Sequence, residues 1–229
     1  MNIVECTKVC KEYRMGTSVV HAVQDADLCF EQGEFAALVG PSGSGKSTLL
    51  NLIGCLDKAT SGTVRLNGIA IKEQTRNQLA DLRRDNIGFI FQSFNLIPVL
   101  TAFENVSFVL SLKKISAEET HRRVFAILEE VGLKGLEHRK PNELSGGQQQ
   151  RVAVARALVK EPSLVLADEP TANLDSETGR SVMTLMKELN KKKNATFIFS
   201  THDKMVMEHA ERLVTLKDGR ISEDEGGRP

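Results

Sequence analysis

Short apolar runs alternate along this chain with amphipathic stretches of helical period, and that alternation already outlines an α/β protein. Near the N-terminus, "NIVECTKVC" and "VVHAVQDADLCF" alternate as strands do. The unbroken apolar run Phe35-Ala36-Ala37-Leu38-Val39 follows and stops at Gly40. A run without alternation predicts a strand covered on both faces, as in a parallel sheet. Lys46–Ile53 predicts a helix, and "TVRLNGIAI" predicts a hairpin turning at Asn67-Gly68, where both residues tolerate positive φ. "IGFIFQ" reads as another strand. From Thr101 to about Leu133 the pattern becomes helical. Thr101-x-x-Glu104 and Ser116-x-x-Glu119 have capping-box spacing, and Val124, Ile127, Leu128 and Val131 recur on one face. A helix after Ser145, a buried run Leu164–Ala167, a helix carrying Val182, Leu185, Met186 and Leu189, the strand "ATFIFS" and a closing hairpin complete the order. The expected fold class is α/β with a mainly parallel sheet, interrupted by a helical lobe at about 95–158. One domain is expected over residues 1–222, with 223–229 as a disordered tail.

Bulk composition narrows the partners more than the fold. Lys+Arg and Asp+Glu number 30 each, so the formal net charge is zero and no nucleic acid is expected as a partner. No apolar run approaches the roughly 18 residues of a spanning helix, and the N-terminus lacks the apolar segment of a secretory signal. Cys6, Cys10, Cys29 and Cys55 have no C-x-x-C spacing and no neighbouring histidine, which predicts buried free thiols in a reducing compartment.

Two segments carry nucleotide chemistry. Gly40–Ser47 reads G-P-S-G-S-G-K-S between a buried strand and a helix, the setting of a phosphate-binding loop. Gly40, Ser42, Gly43 and Gly45 belong to a loop whose backbone N–H groups can curl around phosphates, with Thr48 in the helix start. Lys46 supplies positive charge to the β- and γ-phosphates, and the Ser47 hydroxyl is a Mg²⁺ ligand. The run Leu164–Ala167 delivers Asp168 and Glu169 at a strand end. Asp168 there suits Mg²⁺, and Glu169 suits deprotonation of the attacking water.

"LSGGQ" poses a separate question. Ser145-x-x-Gln148 is a capping box, which satisfies orphan helix N–H groups without any ligand. Gly146 and Gly147 are harder to explain, because glycine in a helix costs about 0.5–1 kcal/mol against alanine. A close backbone approach to a ligand, at a helix start where N–H groups can hold an anion, is the alternative reading.

The phosphate loop, Gln92 after "FIF", "LSGGQ", "LADEPT", "NLDS" and "STHD" occur together in an order that resembles the ATP-binding cassette (ABC) ATPases, from Tyr13 to about Gly219. The resemblance implies a P-loop NTPase core with an N-terminal antiparallel β-subdomain. It implies ATP and Mg²⁺, and a homodimer in which the Ser145–Gln148 helix start of one copy closes on the other's γ-phosphate. By the same resemblance Tyr13 stacks on adenine, Gln92 reaches Mg²⁺ and the water, Asp175 sits at the dimer seam and His202 contacts the γ-phosphate. Ala172 departs from the glycine many close relatives have.

The resemblance further implies integral membrane permease subunits docking near Phe94–Val106, with Phe94, Leu96, Ile97 and Leu100 as candidates. The chain would then lie peripherally on the cytoplasmic face of the inner membrane. "GCLDKATSGTVRLNG" and "FNLIPVLTAFENV" look like the branch of lipoprotein-releasing, macrolide-exporting and antimicrobial-peptide-exporting systems. The rival readings are a soluble cassette ATPase acting on nucleic acid or ribosomes, and a small-molecule kinase. A single cassette, no heptad insert and zero net charge oppose the first. "LSGGQ" with "STHD", which a kinase does not need, opposes the second.

Overall fold

The computed structural model describes residues 1–16, 18–113 and 115–226. Among the described residues, ten strands form two sheets. β1 (Asn2–Met15), β2 (Ser18–Glu31), β4 (Ser61–Leu66) and β5 (Ile69–Ala70) make an antiparallel sheet in the order β2-β1-β4-β5. The second sheet is six-stranded and contains β3 (Phe35–Val39), β6 (Ile87–Ile90), β7 (Leu164–Asp168), β8 (Thr196–Thr201), β9 (Arg212–Lys217) and β10 (Arg220–Glu225). Its order is β10-β9-β3-β8-β7-β6, and every pairing except β9 with β10 is parallel.

β3 shows why its sequence lacks alternation. Phe35, Ala37 and Val39 enter one buried cluster, and Ala36 and Leu38 enter another on the opposite face. One face is covered by α3 (Ala102–Ser111), α4 (Ala117–Glu130), α5 (Gly146–Leu158) and α6 (Ser176–Lys193). The other is covered by α1 (Lys46–Ile53) and the antiparallel sheet. Asn67 and Gly68 have φ of 49° and 78°, the turn the hairpin reading requires.

α2 (Arg76–Asn86) is an element the hydrophobic pattern does not announce, because Leu79 is its one buried residue. A reciprocal Thr75–Gln78 capping box starts it, the same signal that marks α3 at Thr101. α7 (Lys204–Met207) adds one turn after β8.

Two expectations need correction. The tail does not begin at residue 223, since β10 continues to Glu225. The Arg212 guanidinium, nearly buried, forks onto Asp224 at 2.8 and 2.7 Å and also reaches Glu34 at 3.0 Å, so the acidic segment pairs instead of fraying. Residues 227–229 of that expected tail lie outside the described residues. The cysteines are free as expected, but Cys29 is exposed and Cys10 half-buried. On β2, Leu28 and Phe30 take the covered face and the two-residue period turns Cys29 outward.

Candidate functional site

At the C-terminal ends of β3, β7 and β8 lies a cleft of about 870 Å³. Open α/β sheets leave such a crevice outside the carboxyl ends of their parallel strands. The loop after β3 forms its floor. Glycine is required there at two points. A Cβ on Gly40 would meet the Leu216 carbonyl oxygen at 2.2 Å, and one on Gly45 the Ala22 carbonyl oxygen at 2.3 Å, both at positive φ. Gly43, also at positive φ, has nothing within 4 Å and opens toward space a ligand can take. The loop is tied down on both sides, because Gly219 N–H donates to Ser44 O at 3.1 Å and Gln24 N–H to Gly219 O at 2.7 Å.

Lys46 is buried at the base of α1, where its Nζ donates to the Gly40 and Pro41 carbonyls at 2.8 and 2.9 Å. An ammonium held by its own loop is placed for an anion lying along that loop. Beside it, Ser47 Oγ donates to Asp168 Oδ1 at 3.0 Å, joining the helix start to the end of β7. The Ser200 hydroxyl, on the neighbouring β8, also donates to Asp168 Oδ1. A hydroxyl and a carboxylate side by side are hard oxygen donors, and they fit Mg²⁺ better than a softer metal. The Ser44 hydroxyl is buried without a partner at the same floor. That orphan polar atom fits a loop built for phosphate.

Glu169 follows Asp168 in a left-handed conformation, φ 48°. Its N–H donates to Ser200 O and Oγ at 3.2 and 3.1 Å, which holds the turn. Its carboxylate Oε1 lies 2.8 Å from His202 Nδ1. Gln92 lines the cleft after β6, and its carbonyl accepts from Asn173 Nδ2 at 3.0 Å.

The cleft therefore gathers Ser42, Gly43, Gly45, Lys46, Ser47, Thr48, Gln92, Asp168, Glu169 and His202. Gly40 lies just behind the wall. Tyr13 stands at the rim, paired across the strands with Val20, a wall residue. Ser145, Gly146, Gly147, Gln148 and Asp175 are not in this cleft at all. Ser145 and Gln148 form the reciprocal cap of α5, and Asp175 caps α6 by accepting from Glu177 N–H, Thr178 N–H and the Thr178 hydroxyl. Those bonds from Thr178 hold the Asp175 carboxyl below its ordinary range.

Gly147 has a reason inside its own chain. A Cβ there would meet Thr178 Cγ2 at 2.4 Å, whereas one on Gly146 would meet nothing nearer than 3.4 Å. Packing of α5 on α6 thus accounts for one of the two glycines and leaves the other unexplained within a single chain.

Sequence reasoning did not find the opposite wall of the cleft. Val20, His21, Ala22 and Gln24 from β2, with Asp218 and Gly219 from the β9–β10 turn, complete it. The Asp218-Gly219 dipeptide marked a turn, but nothing local to it indicated what the turn faces.

Beyond Gln92 the chain makes a tight bend, with Phe94 and Asn95 both at positive φ. Arg156 on α5 donates to the Phe94 carbonyl at 2.7 Å and to the Asn95 carbonyl, so the bend is fastened to the helix that Ser145 starts. Nearby is a groove of about 280 Å³ with Phe89, Phe91, Ile97, Phe108 and Val109 in its wall. Of the four apolar candidates named for docking, Ile97 lines it and Phe94, Leu96 and Leu100 do not. No helix among the described residues is long and apolar enough to cross a membrane.

Comparison with known proteins agrees with this geometry. A family profile described as ABC transporter matches residues 23–172. The chain is 46% identical over 227 residues to MJ0796 of Methanocaldococcus jannaschii, an uncharacterized ABC transporter ATP-binding protein, covering 97% of each. It is 44% identical to LolD of Legionella pneumophila, an ATP-binding protein of a lipoprotein-releasing system, covering 96% of both. It is also 44% identical to MacB of Mannheimia succiniciproducens, a macrolide export ATP-binding/permease protein, where it spans 36% of that longer chain. A solved dimer of MJ0796 bound to ADP and Pi superposes with a TM-score of 0.90 over 99% of both chains. With its phosphate loop, its strand-end carboxylates and these relatives, the chain belongs to the ABC transporter family as an ATP-hydrolysing cassette.

Proposed function

We propose that this cassette closes in pairs around two MgATP and drives separate membrane subunits. The observation that carries this reading is the convergence of Lys46, Ser47, Asp168, Glu169 and His202 on one cleft. Lys46 and the loop N–H groups receive the phosphates. Ser47, Asp168 and Gln92 would hold Mg²⁺, which when bound neutralises charge on the β- and γ-oxygens. Glu169 takes a proton from the attacking water. His202, within hydrogen-bond distance of Glu169, orients that carboxylate and faces the γ-phosphate. Tyr13 receives the adenine at the rim.

Ser145, Gly146, Gly147 and Gln148 lie outside the cleft, so their contribution goes to a second copy's nucleotide, with Asp175 at the seam between the two. Supporting this is Gly146, where an added Cβ would meet only ordinary van der Waals contact, Leu174 Cδ2 at 3.4 Å, so packing within its own chain does not demand glycine there. The helical lobe at 95–158 would swing with the bend at Phe94–Asn95, which Arg156 links to α5. The groove beside Ile97 and Phe108 suits a short apolar helix of a permease subunit. The names LolD and MacB support partners among the membrane subunits of lipoprotein-releasing or export systems, and with them a position on the cytoplasmic face of the inner membrane.

The test is recovery of tagged Glu169→Gln protein, with ATP and Mg²⁺, from detergent-solubilised membranes of its host. A co-purifying membrane protein with few spans and a large outside domain is the expected result. A multi-span permease would move the chain to another branch, and a nucleic acid or ribosome alone would overturn the transport reading.

A further inference from the structure

Lys11, Tyr13 and Asp57 form a polar cluster at the rim of the nucleotide cleft. The Tyr13 hydroxyl donates to Asp57 Oδ2 at 2.9 Å, and Lys11 Nζ donates to Asp57 Oδ1 at 2.7 Å. Lys11 Nζ also sits 4.8 Å from the centroid of the Tyr13 ring. Asp57 follows α1, so the cluster ties β1 to the segment that leaves the phosphate-loop helix. Lys11 is further fixed by the Lys58 carbonyl at 2.9 Å, and its side chain is 12% exposed. Thr48, in the wall of the cleft, faces the same tyrosine hydroxyl. Against the desolvation that burial imposes, hydrogen bonds from Lys11, the Lys58 N–H and Tyr13 hold the Asp57 carboxyl below its usual range.

As a stability device this arrangement is a poor one. Holding a long lysine in one geometry costs side-chain entropy, which offsets part of what the pair contributes. What it achieves is orientation. The ring is gripped at its tip by a carboxylate and on one face by an ammonium attracted to the ring quadrupole. Tyr13 nevertheless remains 37% exposed. An aromatic ring gripped at its tip and on one face, yet left partly exposed, is a preorganised stacking surface, which lowers the ordering cost of a ligand.

We propose that Lys11 and Asp57 are positioning residues for the nucleotide base, holding Tyr13 so that its free face stacks on the adenine. The inference rests on the base-stacking role of Tyr13 given above. Neither Lys11 nor Asp57 touches the base; both act through the tyrosine.

The test uses the full chain carrying Tyr13→Phe, Lys11→Met or Asp57→Asn, with Tyr13→Ala as reference. Each is read for KM(ATP), kcat and inhibition by inorganic tripolyphosphate, which occupies the phosphate loop but has no base. The first three substitutions are expected to raise KM(ATP) about 3- to 10-fold while kcat changes less than about twofold. Tripolyphosphate inhibition should not change, Lys11→Arg should restore KM, and Lys11→Met with Tyr13→Phe should be no worse than either alone. Should Tyr13→Ala leave KM(ATP) unaltered, the base-stacking reading itself fails. A raised KM in Tyr13→Ala with normal values in the other three would overturn this inference alone. A parallel loss of tripolyphosphate inhibition would also overturn it, by showing that the cluster supports the phosphate loop and not the base. Tyr13→Phe removes a single hydroxyl from an exposed residue, so it remains informative should Asp57→Asn unfold.

Discussion

Glu169 Oε1 and His202 Nδ1 stand 2.8 Å apart, bridging the ends of the adjacent parallel strands β7 and β8. Glu169 reaches this position through a left-handed backbone that costs a non-glycine residue about 1–2 kcal/mol. Strain of this kind persists where the surroundings over-determine it, here through Ser200. Glu169→Gln keeps the hydrogen bond and removes the base. Turnover should fall by about 100-fold or more with ATP affinity retained. His202→Ala should lower kcat more than it raises KM. Steady-state phosphate release and equilibrium binding of labelled ATP check both, and lost ATP binding in Glu169→Gln would assign that residue to the fold.

Lys46 is held over its loop by two carbonyl oxygens. Lys46→Ala removes a buried cation from the cleft floor, so both binding and turnover should be abolished. Hydrolysis near the normal rate would sink the phosphate-loop assignment.

The two glycines of "LSGGQ" should separate experimentally. Gly147→Ala drives a methyl into Thr178, itself bonded to Asp175, and overpacking of this kind costs about 1–3 kcal/mol. Gly146→Ala should leave thermal stability nearly unchanged yet weaken ATP-dependent dimerisation in the Glu169→Gln background. Thermal unfolding and light scattering distinguish the two effects. Equal behaviour in both assays would contradict the division of roles.

Lys160 reports on the groove through pH. Burial, with the charge of Lys113 beside it, pulls its ammonium down to about 8, while Asp85 opposes the shift. Its Nζ donates to the Arg83 carbonyl at 2.8 Å. The unfolded chain keeps the proton up to its higher ordinary pKa, so between the two values the unfolded state binds more protons. The stability of the native chain relative to Lys160→Met should therefore rise as pH climbs from about 8 toward 10.4. Urea unfolding across that range measures it, and parallel curves for the two proteins would show that Lys160 titrates normally.

Much of this molecule is legible in one dimension because its signals are local. An unalternating run such as Phe35–Val39 states that both faces are covered. Glycine spacing around Lys46 states that a backbone loop must bend tightly, and Asn67-Gly68 states the turn. Each reflects a backbone preference or a burial period that a few neighbouring residues settle. The start of α2 at Thr75–Gln78 was equally local, but an almost wholly polar helix has no hydrophobic period to support its cap.

What the residues by themselves left open are the matters of distance in space. That β2 and the Asp218-Gly219 turn wall the cleft follows from how the antiparallel sheet packs over α1. That Gly147 answers to Thr178, and that Asp57 grips Tyr13, depends on where two separate elements meet. Arg212 likewise recruits the acidic end of β10 from a segment whose composition suggested a free tail. Periodicity encodes which side of an element is buried and says nothing about which neighbour buries it. Side-chain packing between elements far apart in the chain made that choice.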